Sequence, residues 1–399
     1  MDSKITEKKG DLLASFAANA RQYGIVGALI VIIIVFQFLT GGLLLQPNTV
    51  VQLIQQNAYV IILAVGMVMV IIATHIDLSV GSLVGFIGGC VALLMQDMHM
   101  NWILAIFAGI LIGIAIGVWQ GFWVAIVGIP GFITTLAGML VFRGLATTMI
   151  NASIPVNNSS FNAIASNYLP NILGFWGPFD GLSVVVGIIA IVAFAWMTLN
   201  NRKKADKVGL EVGPISATYT KIGLASAVIL FLTYEFASSG NSSQGGIPIM
   251  LVIVGLLVLV YNFILTKTVF GRHVYAVGGN RRAAMLSGIN TKRVDFSLYV
   301  HMGFLSAIAA VAILSRLSSA SAATGNSFEL DVIAACFVGG TAVTGGIGTV
   351  SGVVIGAAVI GVINQGLSIM GVDSALIQTI KGLVLLLAVA IDIYSKRKR

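Results

Sequence analysis

Charge is scarce in this chain, and so are cysteine and histidine. Only 9% of its 399 residues are Asp, Glu, Lys or Arg, while 58% are hydrophobic. Soluble domains carry about a quarter charged residues. That shortfall excludes a water-soluble fold of this length, so lipid must be the solvent for most of the chain. The two cysteines, Cys90 and Cys336, both lie in apolar runs with no ligand-like spacing, which excludes a zinc site or a disulfide framework. They read as small buried hydrophobes. Four histidines are present, His75, His99, His273 and His301, and none belongs to an HExxH pair. His301 lacks a G-x-S-x-G elbow, so a Ser–His hydrolase has no support. No GxxxxGK[ST] loop occurs, so the chain does not hydrolyse ATP by that route. Residues 1–23 are mixed polar and charged. The apolar run after them is long enough to span and has no A-x-A-like site, so no cleavable leader is expected.

Basic residues are absent from every second connecting segment. There are 22 Lys and Arg, and most fall in four places: before residue 24, in 200–221, in 267–297 and in the last four residues. The segments alternating with these hold acids only, such as Asp97, Asp180, Glu329 and Asp373. Loops rich in Lys and Arg stay cytoplasmic. The net charge of +8 is therefore a set of topological anchors near an anionic leaflet, not a nucleic-acid stripe.

A crossing helix needs about 20 apolar residues. Spans are expected at 24–45, 51–74, 79–96, 102–128, 132–150, 182–200, 222–240, 248–266, 297–318, 330–344, 350–370 and 376–394. The tenth is short and glycine-rich, but parity requires it, because basic segments at both ends place both termini inside. The expected fold is all-α: a polytopic transmembrane helical bundle of about 12 spans. Residues 1–23 form a cytoplasmic segment, 24–394 a single membrane domain and 395–399 a basic cytoplasmic tail. Residues 151–181 form the longest external loop, with room for a short interfacial helix.

Small residues four apart form one helix face and let backbones approach closely in lipid. Gly109, Gly113, Gly117 and Gly121 recur in this way in the fourth span, and Gly348, Gly352 and Gly356 near the eleventh. They read as packing stripes or as a sliding face. Charges inside spans are costly and normally face protein or water. Arg143 lies deepest and most needs a partner. Glu235, Arg316 and Asp392 lie close enough to span ends to snorkel, and Lys381 also falls in an apolar run. Between the second and third spans, Thr74 to Ser82 reads as a helix break. There Asp77 or Ser79 caps the next helix, or the polar backbone meets a solute, as in transporters.

The loop 267–297 has helical punctuation of its own. Gly278-Gly279-Asn280 reads as a turn with Asn280 as N-cap, Arg281 to Leu286 as a short helix, and Gly288 as its stop. Ala283, Ala284, Met285 and Leu286 give that helix an apolar face, fit for lipid or for a partner's groove.

These residues resemble a known family. Arg282-Ala283-Ala284-Met285-Leu286-Ser287-Gly288 is similar to the AA-x-x-x-G core by which permeases of ATP-binding-cassette importers engage their ATPases, with Arg282 where a Glu is usual. GRHVYAVGGNRRAAMLSGI at 271–289, IDLSVGS at 76–82, IPGFITTLAGMLVFRGL at 129–145 and VGGTAVTGGIGTVSGVVIG at 338–356 resemble the monosaccharide branch. Ribose-type members of that branch look like ten-span proteins. The three spans within 182–266, where those have one, resemble the longer xylose or multiple-sugar subgroup.

The resemblance implies a bacterial inner-membrane permease acting as a homodimer. It implies a separate ATPase bound inside and an extracytoplasmic sugar-binding protein docking on 151–181 and 319–330. ATP would be used by the partner, with no cofactor on this chain and no catalytic role for it. Coupling would fall to Arg282, Ala283, Ala284 and Gly288. A neutral sugar needs a polar, uncharged path, for which Gln120, Thr134, Thr135, Asn364 and Gln365 are candidates beside the motif residues Asp77, Ser79 and Arg143. Interhelical hydrogen bonding is the plainer role for all five path candidates. The rival class is a stand-alone ion-coupled carrier or channel, for which Asp77 is the one central-looking carboxylate. A lipid-modifying enzyme would need catalytic groups on outer loops that carry few of them.

Overall fold

The computed structural model describes residues 20–209, 214–241 and 244–397. Most of the expected N-terminal segment (Lys4, Lys8 and Lys9 included) and the last two tail residues lie outside the described residues. In hydrocarbon every backbone polar group must be satisfied within the segment, which leaves helices as the solution for apolar runs of this length. Among the described residues, eight helices are long and apolar enough to cross a membrane, and three shorter apolar helical stretches accompany them.

The described residues divide into two compact units. The larger comprises 28–44, 53–167 and 249–397. At its centre are α2 (Pro47–Ile72), most of which belongs to this unit, and α12 (Thr291–Leu317), both largely buried. Around them stand α3 (Val80–Gln96), α4 (Trp102–Gly121, prolonged by a π-helical turn Phe122–Val127), α5 (Gly131–Met149), α9 (Ile249–Lys267) and α14 (Val350–Ile369). Pro47 opens α2, where its missing N–H costs nothing. Helix starts are capped by side chains that accept free N–H groups: Asn101 for α4, Asn158 for the short α6 (Ser159–Ser166) and Thr349 for α14. The helix α1 (Ala20–Leu39) and the last helix α15 (Ser374–Arg397) complete the apolar elements.

Close packing explains the glycines. A Cβ on Gly113 would overlap the Gly303 carbonyl of α12, and one on Gly303 the Gly113 carbonyl. Gly117 and Gly121 meet Tyr299 and Phe296 of the same helix, whereas Gly109 faces Val91 of α3. Gly352 and Gly356 lie against Gly339 and Ala335 of α13 (Phe328–Val338), and Gly348 against Ile72 and Thr341.

The tenth expected span, 330–344, takes a different form. Helix α13 is only 11 residues long, about 16 Å, or half a bilayer. Before it, 319–327 reaches down beside α3 and α5, where Arg143 donates to the carbonyls of Ala322 (3.1 Å) and Thr324 (2.9 Å). After it, 339–349 continues without helix through Gly340, Gly345 and Gly346, all at positive φ. The glycines set these bends, because L-residues with side chains avoid that region.

The stretch after α5 is anchored within the same unit. Strand β1 (Ile154–Pro155) pairs antiparallel with β6 (Ser319–Ala320), with Ile154 opposite Ala320. The Ser315 hydroxyl donates to Phe161 O (2.8 Å) and accepts from Ala165 N (3.0 Å), fastening α6 to the end of α12.

The smaller unit comprises 20–27, 45–52 and 168–248. Its body is an antiparallel pair, α7 (Gly181–Lys207) and α8 (Ile215–Ser238). Asp180 caps α7 by accepting from Ser183 N (2.8 Å), and Gly187 leaves room for Thr233. Arg202 donates to Thr218 Oγ1 (2.8 Å). Two hairpins, β2 (Phe175–Trp176) with β3 (Phe179–Asp180) and β4 (Gly240–Asn241) with β5 (Gln244–Gly245), lie together at one end of the pair, where Gly246 meets Asp180. The apolar windows of α7 and α8 are only 11% and 0% buried. Such helices are stable in lipid and unstable in water.

Candidate functional site

The stretch 267–297 is built as a compact platform. Thr268 caps α10 (Val269–Gly279) by accepting from Gly271 N (3.2 Å). Asn280 Oδ1 accepts from Ala283 N (3.0 Å) and starts α11 (Arg281–Leu286). Gly288, at φ +85°, ends it, with Gly288 N donating to Met285 O and Ile289 N to Ala284 O (both 3.0 Å). Gly278 and Gly279 belong to α10 and form no turn. The bareness of Gly278 serves contact: a Cβ there would overlap the Ile72 carbonyl at the end of α2. Of the apolar face expected on α11, Ala284 turns inward at 5% exposure, while Met285 is half exposed and Leu286 is 90% exposed. Arg282, Ala283 and Gly288 share the open side with them.

This platform is tied to two distant segments. Gly346 N donates to Ile72 O (2.9 Å), and the Tyr275 hydroxyl donates to Gly348 O (2.6 Å). Burial raises the Tyr275 phenol above its usual pKa, so it stays a donor. The second tie is ionic. Arg281 pairs with Asp295, the carboxylate one turn into α12, and Asp295 Oδ1 lies 3.2 Å from His75 Nε2. Asp295 is 2% exposed. Sequence reasoning missed this trio, because the three residues lie up to 220 positions apart. The available signal was Asp295 itself, a lone acid in a basic loop.

His75 leads into the break before α3. Asp77 Oδ1 accepts from both Ser79 N (2.8 Å) and Ser79 Oγ (2.6 Å), and Gln120 Nε2 donates to Ser79 Oγ (2.7 Å). Thr135 Oγ1 accepts from Leu78 N (3.1 Å) and donates to Ile76 O (3.2 Å). Ser79 holds the cap position of α3 without a side-chain cap bond. Asp77, Ser79, Gln120, Thr134 and Thr135 thus come together as one buried polar node. Asp77 Oδ2, Gln120 Oε1 and Thr134 Oγ1 have no partner among the described residues.

Asn364 and Gln365 sit elsewhere. They line a cavity of about 300 Å³ together with Gln56, Arg316, Ser368 and Lys381. Lys381 pairs with Asp331 at 2.9 Å, and Arg316 donates to Gln56 Oε1 at 3.4 Å. The sequence marked Arg316 and Lys381 as costly charges within apolar runs. Their partners, and Tyr59 beside them, were not legible from it. Arg143 belongs to neither group, since its guanidinium holds the 322–324 carbonyls.

The chain matches the family model described as branched-chain amino acid transport system / permease component over 49–203 and 178–389. It is 36% identical over 383 residues to the xylose transport system permease protein XylH of Escherichia coli (strain K12), covering 95% of this chain and 93% of that one. The protein of the same name in Haemophilus influenzae is 37% identical over 96% and 98% of the two chains. The ribose import permease protein RbsC of Escherichia coli (strain K12) is 32% identical over 86% and 85%. No solved structure matches the chain. With both halves of its sequence matched, the chain belongs to this family of transport-system permease components and is a multi-pass membrane protein.

Proposed function

We propose that the chain is the membrane subunit of an ATP-driven importer that carries a monosaccharide of the xylose or ribose type across the bacterial cytoplasmic membrane. The observation that carries this reading is α11: a short helix, capped at one end by Asn280 and closed at the other by Gly288, presenting Met285 and Leu286 outward. A hydrophobic helix face held on a polar loop is built to enter a partner's groove. The partner is an ATPase, whose closure pushes on Arg282, Ala283, Ala284 and Gly288. The platform hands the push to Ile72 and His75 and so to the break before α3.

In this reading the chain crosses about twelve times, with both termini inside, and two copies form the path. The half-length α13 counts as a crossing because its non-helical continuation ends at Gly348, on the Tyr275 hydroxyl of the same platform. Discontinuous helices of this sort line solute sites in transporters. An extracytoplasmic sugar-binding protein docks where β1 and β6 join 154–155 to 319–320. Asn364 and Gln365 face the sugar, and the polar node around Asp77 keeps the break in shape. No cofactor is held by this chain.

Reconstitution in vesicles tests the reading. Uptake of xylose or ribose should require ATP, the ATPase and the binding protein together, with none from the permease alone. Accumulation by the permease alone under a proton gradient would assign it to the ion-coupled carriers.

A further inference from the structure

In the importer reading, the extracytoplasmic binding protein selects the sugar first. The cavity on α2, α12, α14 and α15 has the chemistry to select again. Its volume, about 300 Å³, lies at the low end for small-molecule sites, a size for one sugar ring. Its charges are largely cancelled. Lys381 is bound to Asp331 (2.9 Å), and the Tyr59 hydroxyl donates to the same carboxylate (2.9 Å). The Tyr59 ring is fixed in turn by stacking on Phe328, with centroids 3.8 Å apart and planes at 22°. One wall is therefore rigid, aromatic and internally neutralised.

The opposite wall is made of neutral amides with unused capacity. Asn364 Oδ1 is buried without a partner among the described residues, although a buried acceptor left unpaired is costly. Gln365 is adjacent on the same helix, and Ser368 lies one turn on. Arg316 spans the gap with a single long contact to Gln56 (3.4 Å), leaving guanidinium N–H groups to spare. Sugar hydroxyls both donate and accept, so they satisfy amides and guanidinium together, while their C–H faces rest on apolar Leu53, Ile313 and Ile377.

We propose that this cavity is a binding station for one neutral monosaccharide within the permease itself, with Asn364, Gln365 and Arg316 as its recognising residues. The inference rests on the importer reading and adds a second point of selection to it. An anion would find Arg316 but also the unpaired carbonyl oxygen of Asn364. A disaccharide exceeds the space.

The test uses the permease in nanodiscs without ATPase or binding protein. Ser368→Cys, in a background lacking Cys90 and Cys336, is labelled with a maleimide in the presence of D-xylose, D-ribose, D-glucose, xylonate or maltose. At about 50 mM sugar, a site with a Kd near 1 mM slows labelling by roughly fiftyfold. At least one neutral monosaccharide should do so, and maltose should not. Asn364→Ala and Gln365→Ala should each weaken protection about fivefold, the loss of one hydrogen bond. Should Ser368→Cys fail to fold, Leu53→Cys reports from another wall of the same cavity.

Protection by no neutral sugar, or stronger protection by xylonate, overturns the station. The complete transporter is assayed in parallel. ATP-dependent uptake without protection defeats the station alone, whereas absence of uptake defeats the importer reading.

Discussion

A permease carrying Gly288→Trp will reach the membrane in normal amounts and will fail to drive uptake. Gly288 sits at φ +85°, where a residue with a Cβ costs about 1–2 kcal/mol. No heavy atom lies within 4 Å of the place a Cβ would take, so a side chain there starts out into open space. The indole projects beside Leu286 and Ala283, on the face assigned to the ATPase. Uptake should fall at least tenfold, which corresponds to about 1.4 kcal/mol of lost coupling. The ATPase should either no longer copurify or hydrolyse ATP without transport. Gly288→Ala imposes the backbone strain without the bulk and should retain most activity. Wild-type uptake by Gly288→Trp would remove this face from the mechanism.

The second large effect belongs to Arg281. Its ion pair supplies the cationic partner of Asp295, a carboxylate only 2% exposed. Arg281→Glu would set two carboxylates against each other beside His75. Arg281 is itself 39% exposed, so the cost is that of leaving buried Asp295 without its partner, about 1–3 kcal/mol, enough to loosen α11 from α12 and from the break at His75. The expected result is a permease that binds ATPase poorly and moves less than a tenth of the sugar per ATP hydrolysed. Arg281→Lys keeps the charge and should restore most of that ratio. A purely structural tie would lower the amount of protein and leave the ratio unchanged, so the ratio is the deciding measurement. An unchanged ratio in Arg281→Glu would mean that motion enters by another route.

Local signals carried much of this architecture in the sequence. Asn280 as a cap, Arg281 to Leu286 as a helix and Gly288 as its stop are decided by neighbours a few residues away, and the same few residues make them readable. Apart from the tenth, the expected spans likewise overlap helices, because a long apolar run in lipid has few alternatives. Distance in sequence hid the rest. Gly278 and Gly279 look like a turn until the Ile72 carbonyl, some two hundred residues earlier, is placed against Gly278. Asp295 gained meaning only when α12 brought it to His75. Lys381 and Arg316 announced the cost of their charges but not Asp331, Tyr59 and Gln56, which offset it. The tenth span was short in sequence for a reason hydropathy cannot express: half of it is helix and half is a glycine-bent arm. The path candidates divided for a similar reason. Gln120, Thr134 and Thr135 point into a packed node, Asn364 and Gln365 into open space, and polarity alone does not separate the two.

The account turns on which side of the membrane α11 occupies and what covers it there. Leu286→Cys, the most exposed position on that helix, can be labelled with a membrane-impermeant maleimide. Labelling should fail in intact cells, proceed in inside-out vesicles, and stop when purified ATPase is added to those vesicles. Rapid labelling of intact cells, or indifference to the ATPase, would contradict it.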